Sequence, residues 1–173
     1  MTNNHINIIF GENDLMIEDV IALSEQRAQP VLSGDAEFRN RIQNGADFLD
    51  RELREHGHIY GVTTGYGDSV SRRVPPELVA ELPLHLSRFH GCGLGNILPA
   101  DQTRAVLAVR LASLCSGYSA VSVDLLDQLT GLLAHDITPL IPEEGSVGAS
   151  GDLTPLSYVC LLYTSDAADE EDS

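Results

Sequence analysis

Residues Gly145–Pro155 read GSVGASGDLTP, and the Ala149-Ser150-Gly151 step inside them decides how the rest of the chain is read. Gly151 offers an unhindered amide nitrogen, Ala149 a neighbouring carbonyl, and Ser150 a hydroxyl that can leave as water. If the loop is bent hard enough, the Gly151 nitrogen reaches the carbonyl carbon of Ala149 and closes a five-membered ring. Loss of water from the ring and from the serine side chain then leaves an exocyclic methylene conjugated to an imidazolone. Side chains supply nucleophiles, acids and bases but no good electrophile, so such a ring would serve as a built-in cofactor. Glycines at 145, 148 and 151 make the bend accessible. Without that chemistry the same stretch reads as a Gly/Ser turn before a helix, capped by Ser150 or Asp152, with Pro155 in the first turn.

Two further strings stand in order before this loop: YGVTTGYG at Tyr60–Gly67 and FHGCGLG at Phe89–Gly95. The ordered set resembles the histidine and aromatic amino acid ammonia-lyases, which carry a methylidene-imidazolone. A short glycine-rich string alone is weak evidence, but three in family order are not. The resemblance runs from about the first helix to Val159. It implies a mostly α chain, the amino-terminal part of the helical ammonia-lyase fold, ending before the long central helix bundle. It also implies elimination of ammonia from an aromatic L-amino acid, with a 4-methylidene-imidazol-5-one formed from Ala149, Ser150 and Gly151 and no external cofactor.

By the same resemblance Tyr60 is the catalytic tyrosine on a mobile loop, and Asp152 supports the cofactor. The proton to be removed sits on a β-carbon and is barely acidic, so a base must be held within hydrogen-bond reach of it. A tyrosine of ordinary pKa near 10 has to be lowered to serve as a phenolate at neutral pH. Phe89 and His90 match the pair that selects the substrate side chain. Histidine lyases carry a small residue then His there, tyrosine lyases His-Leu, and phenylalanine lyases Phe-Leu. Phe followed by His is a mixture: His90 can hydrogen-bond an imidazole or a phenol, while Phe89 narrows and dries the pocket. Histidine, giving urocanate, is placed narrowly ahead of tyrosine and phenylalanine, and an aminomutase shares the same residues. Family members are homotetramers, which is the expected assembly of a full-length protein.

Cys160–Glu170 reads CLLYTSDAADE, which resembles one reading frame of a transposase-type sequencing adaptor rather than the apolar helix of the family. Residues 1–159 are therefore taken as the native amino-terminal part and 160–173 as a non-native read-through tail. The polypeptide of residues 1–173 is expected to be inactive alone, as a helical fragment or binding module without the bundle.

Composition narrows the alternatives. The formal charge is −16; residues 160–173 carry five acidic residues and no basic one, so −11 remains on residues 1–159. Such a chain disfavours nucleic acid and anionic membrane, both of which need clustered Lys and Arg. All ten basic residues are Arg, which leaves this chain without a Lys Schiff base or a phosphate-loop lysine. Cys92 and Cys115 lack C-x-x-C spacing, and His5, His56, His58, His85 and His135 lack ligand spacing, so no metal site is assigned. Neither a signal peptide nor a run of about 18 apolar residues is visible, and the expected location is cytoplasmic, with a small amino acid as the partner.

The periodicity predicts a strand at Ile6–Phe10 and a short helix capped by Asp14. It predicts a helix over Asp35–His56 stopped by Gly57, with Phe38, Ile42, Leu49 and Leu53 inward and Arg39, Arg41, Asp50, Glu52 and Glu55 solvated. A glycine- and threonine-rich loop at Ile59–Gly67 suits a lid. A helix from Pro75-Pro76 to Gly91 should be kinked or interrupted at Pro83. Asp101 is expected to cap a helix through Val106, Val109 and Leu114, and Ser122 another through Leu125, Leu129 and Leu133.

Overall fold

The computed structural model describes residues 6–55, 57–146, 151 and 153–160. They fall into two compact units, the first made of Met1–Ala46 and Gly95–Glu143, the second of Asp47–Leu94 and Glu144–Ser173.

In the first unit β1 (Ile6–Phe10) pairs in parallel with β2 (Ala28–Leu32), with Ile6 opposite Ala28 and Phe10 opposite Leu32. Helix α1 (Ile17–Ser24) makes the crossover that a parallel pair requires. Strand β2 was not foreseen, because Pro30 stands at its centre; in a two-stranded sheet every strand is an edge, where proline is tolerated. Helix α1 begins after Met16 rather than Asp14. The Asp19 carboxylate reaches back to accept the Met16 N–H at 3.0 Å, so the cap is supplied from inside the helix.

Helix α2 (Ala36–Glu55) runs as expected, with the Asp35 carboxylate accepting the Phe38 N–H at 2.8 Å. Gly57, at φ +60°, takes the left-handed conformation past its end. Only Phe38 and Ile42 of the expected inward face are fully buried; Leu49 and Leu53 are half-buried.

Helix α4 (Ala100–Cys115) is the centre of this unit and packs on α1, on α5 (Val123–Ala134) and on β1. Its buried stripe is Thr103, Leu107, Leu111 and Leu114, flanked by Ala108 and Cys115. Val109, on an apolar side of the same helix, is 54% exposed. Apolar residues ring α4 on nearly every side, so spacing alone did not single out the buried face. The helix starts after Pro99, and Asp101 lies in its first turn instead of capping it. Ser122 does cap α5, its hydroxyl accepting the Leu125 N–H at 3.2 Å; Leu126, Leu129 and Leu133 are buried there and Leu125 is half-buried. Two further short strands, β3 (Leu94–Ile97) and β4 (Pro142–Glu144), also pair.

Arginines satisfy the carbonyls that helix ends leave open. Arg104 donates to the Ser24 carbonyl at the end of α1 and to Asp136, both at 2.6 Å. Arg41 donates to the Ser116 and Cys115 carbonyls at the end of α4. Arg39 holds the Ser33 carbonyl and both oxygens of Asp127. Arg39 and Arg41 thus stay on the solvent-exposed side, as expected, and also serve as tertiary ties. Burial pushes the Cys115 thiol up to about 11 against the opposing pull of Arg41, which keeps it a protonated thiol at neutral pH.

The second unit contains the last part of α2, two 3-10 turns at Gly67–Ser71 and Pro76–Leu78, helix α3 (Leu82–His90), and α6 at residues 153–160. Pro83 sits in the first turn of α3, where a missing N–H costs nothing. The expected long helix is accordingly interrupted before that proline. Among the described residues the fully buried ones of this unit are Thr63, Thr64, Thr154, Ser157 and Val159. No described helix is long and apolar enough to cross a membrane.

Leu111 is completely buried in α4, and its truncation leaves a cavity in this core. Leu111→Ala is expected to lower unfolding stability by about 2–5 kcal/mol, read by urea denaturation; a loss below about 1 kcal/mol would show that α4 is not the centre of the core.

Candidate active site

Tyr60 opens a loop that folds back on itself. The Thr63 hydroxyl accepts the Ile59 N–H at 2.7 Å and the Thr64 hydroxyl accepts the Gly61 N–H at 3.1 Å, both threonines being buried. The base is closed by Val74 N–H donating to the Thr63 carbonyl and Gly65 N–H to the Arg72 carbonyl, each at 2.9 Å. Within this frame the Tyr60 ring is 59% exposed, and its hydroxyl oxygen accepts the Gly67 N–H at 3.0 Å. Tyr66 stands edge-on to it, with ring centres 6.2 Å apart, and donates its own hydroxyl to the Gly61 carbonyl at 2.8 Å. Gly61 has φ +72°, and a Cβ there would lie 2.9 Å from the Tyr66 ring, so only glycine fits. Tyr60 is therefore presented to solvent by a stapled loop.

Phe89 and His90 end α3. Phe89 is 79% exposed, His90 is half-buried, and their rings meet edge-on at 5.6 Å. The chain then leaves the helix through bonds from Gly91 N–H to the Ser87 carbonyl and from Cys92 N–H to the His90 carbonyl, each 2.8 Å. Gly93 N–H donates to the Tyr158 hydroxyl at 3.0 Å, which ties this segment to α6.

Of the electrophile loop, Gly151 lies in an exposed turn, while Ala149, Ser150 and Asp152 lie outside the described residues. Pro155 falls in the first turn of α6, as its position in the string suggested. The two flanks of the loop meet: a Cβ on Gly145 would lie 2.7 Å from Cβ and Cγ2 of Thr154. Thr154 is 2% exposed, and its carbonyl accepts the Ser157 hydroxyl at 2.6 Å. This cradle, which any side chain at 145 would fill, brings residues 145 and 154 together. The Ala149-Ser150-Gly151 triad would supply the atoms of a methylidene-imidazolone, and the close Gly145–Thr154 approach on either side of it in sequence fits such a group.

Tyr60, Phe89, His90 and Gly151 belong to the same compact unit. Contacts through Tyr158 and Thr154 join two of the three strings, and the Tyr60 loop is held by bonds within residues 59–74. Thr154, Ser157 and Tyr158 were not anticipated. Their hydroxyls at three- and four-residue spacing on one helix were the available signal. An open groove of about 910 Å³ lies elsewhere, along β1, the start of α1 and α4. None of the candidate residues lines it, and its concavity carries no chemistry of this kind.

A family model described as aromatic amino acid lyase matches residues 15–167. The chain belongs to the aromatic amino acid lyase family. It is 38% identical over 157 residues to a histidine ammonia-lyase of Streptococcus gordonii, covering 91% of this chain and 30% of that protein. A histidine ammonia-lyase of Bacillus velezensis is 39% identical over 149 residues, covering 83% and 29%. Among solved structures, a tyrosine aminomutase from Streptomyces globisporus superposes with a TM-score of 0.79 at 37% identity, covering 90% of this chain and 28% of that one. The chain thus spans about 30% of the length of the curated relatives it matches, and its fold is the corresponding part of the ammonia-lyase fold.

In this lyase-family loop, burial and then the neighbouring Tyr60 raise the Tyr66 phenol above its ordinary value of 10.0. A raised value in the folded chain means that the protonated phenol is favoured there. The contribution of the Tyr66–Gly61 bond is therefore complete below pH 10.0 and lost as pH rises through the raised value. In a tyrosinate absorbance titration, the difference between wild type and Tyr66→Phe is expected to develop above pH 10.0. A difference complete by that pH would contradict the assignment.

Proposed function

We propose that this chain is the amino-terminal part of an ammonia-lyase that eliminates ammonia from an aromatic L-amino acid, with histidine as substrate and urocanate as product. The observation that carries the reading is the Ala149-Ser150-Gly151 triad set in a loop whose flanks, Gly145 and Thr154, are pressed together. The likeness to proteins named histidine ammonia-lyase supports histidine as the substrate. The ring formed from the triad supplies the electrophile that activates the substrate for loss of its amine.

The chain's own residues do the rest. Tyr60 stands open to solvent with its oxygen fixed by the Gly67 N–H, and it takes the β-proton of the substrate. The stapled loop fixes where that oxygen sits, and a displaced base loses rate steeply. His90, beside the Phe89 ring, offers a donor or acceptor to the substrate imidazole, while Phe89 covers its apolar face. Asp152, next to the triad in sequence, supports it in this reading. The complete enzyme is a cytoplasmic homotetramer in this reading, acting on a free amino acid.

The similarity to a tyrosine aminomutase supports a second reading, in which ammonia is returned at the β-carbon. The product separates the two: an α,β-unsaturated acid for a lyase, a β-amino acid for an aminomutase.

In the full-length enzyme, Ser150→Ala is expected to abolish turnover while the fold survives, because alanine has no hydroxyl to lose. Turnover above about a tenth of wild type, a deficit of only about 1.4 kcal/mol in barrier, would refute the electrophile. Tyr60→Phe is expected to keep the ultraviolet band of the conjugated ring and lose about 10²- to 10⁴-fold in kcat. An unchanged kcat would remove Tyr60 from the mechanism.

A further inference from the structure

The geometry points to Tyr158 as a positioning residue for substrate selection, acting by holding the Phe89-His90 segment in place from the helix that follows the electrophile loop. The inference rests on the lyase reading and on Phe89 and His90 facing the substrate side chain.

Thr154 and Tyr158 are four residues apart on α6 and so share one face of it. The first seats Gly145 on the near side of the electrophile loop. The second accepts the Gly93 N–H through its hydroxyl at 3.0 Å, in a part-buried setting. One short helix therefore holds both the loop that carries the triad and the segment that carries the selecting pair.

The segment needs such a hold. Gly91, Gly93 and Gly95 stand within FHGCGLG, and glycine gives the backbone more freedom than any other residue. The bonds at Gly91 and Cys92 reach only to Ser87 and His90, within the segment's own end of α3. Among the described residues, Tyr158 is the side chain from outside the segment that bonds its backbone before β3 begins. When that hydroxyl is removed, the Gly93 N–H loses its acceptor and the end of α3 can shift with its two rings. Recognition of the side chain then changes, while the triad, whose flank is held through Thr154, keeps its geometry.

The test is Tyr158→Phe in the full-length enzyme, which retains the ring and deletes only the hydroxyl. Three quantities are measured: the ultraviolet band of the matured ring, kcat and KM for histidine, and the ratio of kcat/KM for histidine to that for tyrosine. The expected result is an unchanged band, a histidine kcat within about twofold, and a shift of about 3- to 10-fold in the ratio, carried by KM, the size expected of one lost neutral hydrogen bond. An unchanged ratio overturns the proposal. So does loss of the band, or an equal fall in kcat for both substrates, since either would place Tyr158 in folding or maturation. A wild-type enzyme without the band or turnover overturns the lyase reading itself and is thereby distinguished from failure of the Tyr158 inference.

Discussion

Side-chain hydroxyls accept or donate the hydrogen bonds that the glycine-rich strings of the second unit cannot make with themselves, and the candidate site depends on them. Thr63 and Thr64 take the N–H groups of Ile59 and Gly61, Tyr60 takes that of Gly67, and Tyr158 takes that of Gly93. Tyr66 and Ser157 donate to the carbonyls of Gly61 and Thr154. A segment rich in glycine has little apolar surface to bury, so directional bonds must set its path. Each contributes only about 0.5–1.5 kcal/mol net, yet a buried partner left without its bond costs more than the bond was worth. The result is a set of segments specified in position but shallow in stability.

The first unit is built by the opposite means. Leu107, Leu111, Leu114, Leu126, Leu129 and Leu133 are buried where α4 meets α5, and Phe10, Leu23, Ala28 and Leu32 bury the faces of β1, α1 and β2. Arginine completes it. A planar guanidinium can bond several acceptors at once: Arg39 and Arg104 each join a backbone carbonyl to a carboxylate from another part of the unit, and Arg41 ties α2 to two adjacent carbonyls at the end of α4. Without lysine in the chain, every long basic side chain has this geometry.

Elements with a long pattern or a strong local signal could be read from the sequence: β1, the whole of α2, the Ser122 cap of α5 and Pro155 in the first turn of α6. Strand β2 could not, because Pro30 argues against a strand until its edge position is known. Strands β3 and β4 are too short to show alternation. Asp14 and Asp101 drew the caps to the wrong residues, because an acidic side chain near a helix start can act from the first turn as well as from the cap. Arg39 and Arg41 could be read as solvent-facing but not as ties, because their acceptors, Asp127 and the end of α4, are distant in sequence. Among the candidate site residues, Tyr60, Phe89, His90 and the triad are visible as strings. Thr154 and Tyr158 are not, because a hydroxyl on a helix looks the same whether it faces water or holds a loop 65 residues away.

The central claim is that the chain makes its own electrophile from Ala149, Ser150 and Gly151. It is tested most directly by the mass of the proteolytic peptide spanning residues 145–158 from the full-length protein. The account predicts a peptide lighter than its sequence by two waters, one from ring closure and one from the Ser150 side chain, absorbing as a conjugated ring. A peptide of unmodified mass would contradict it.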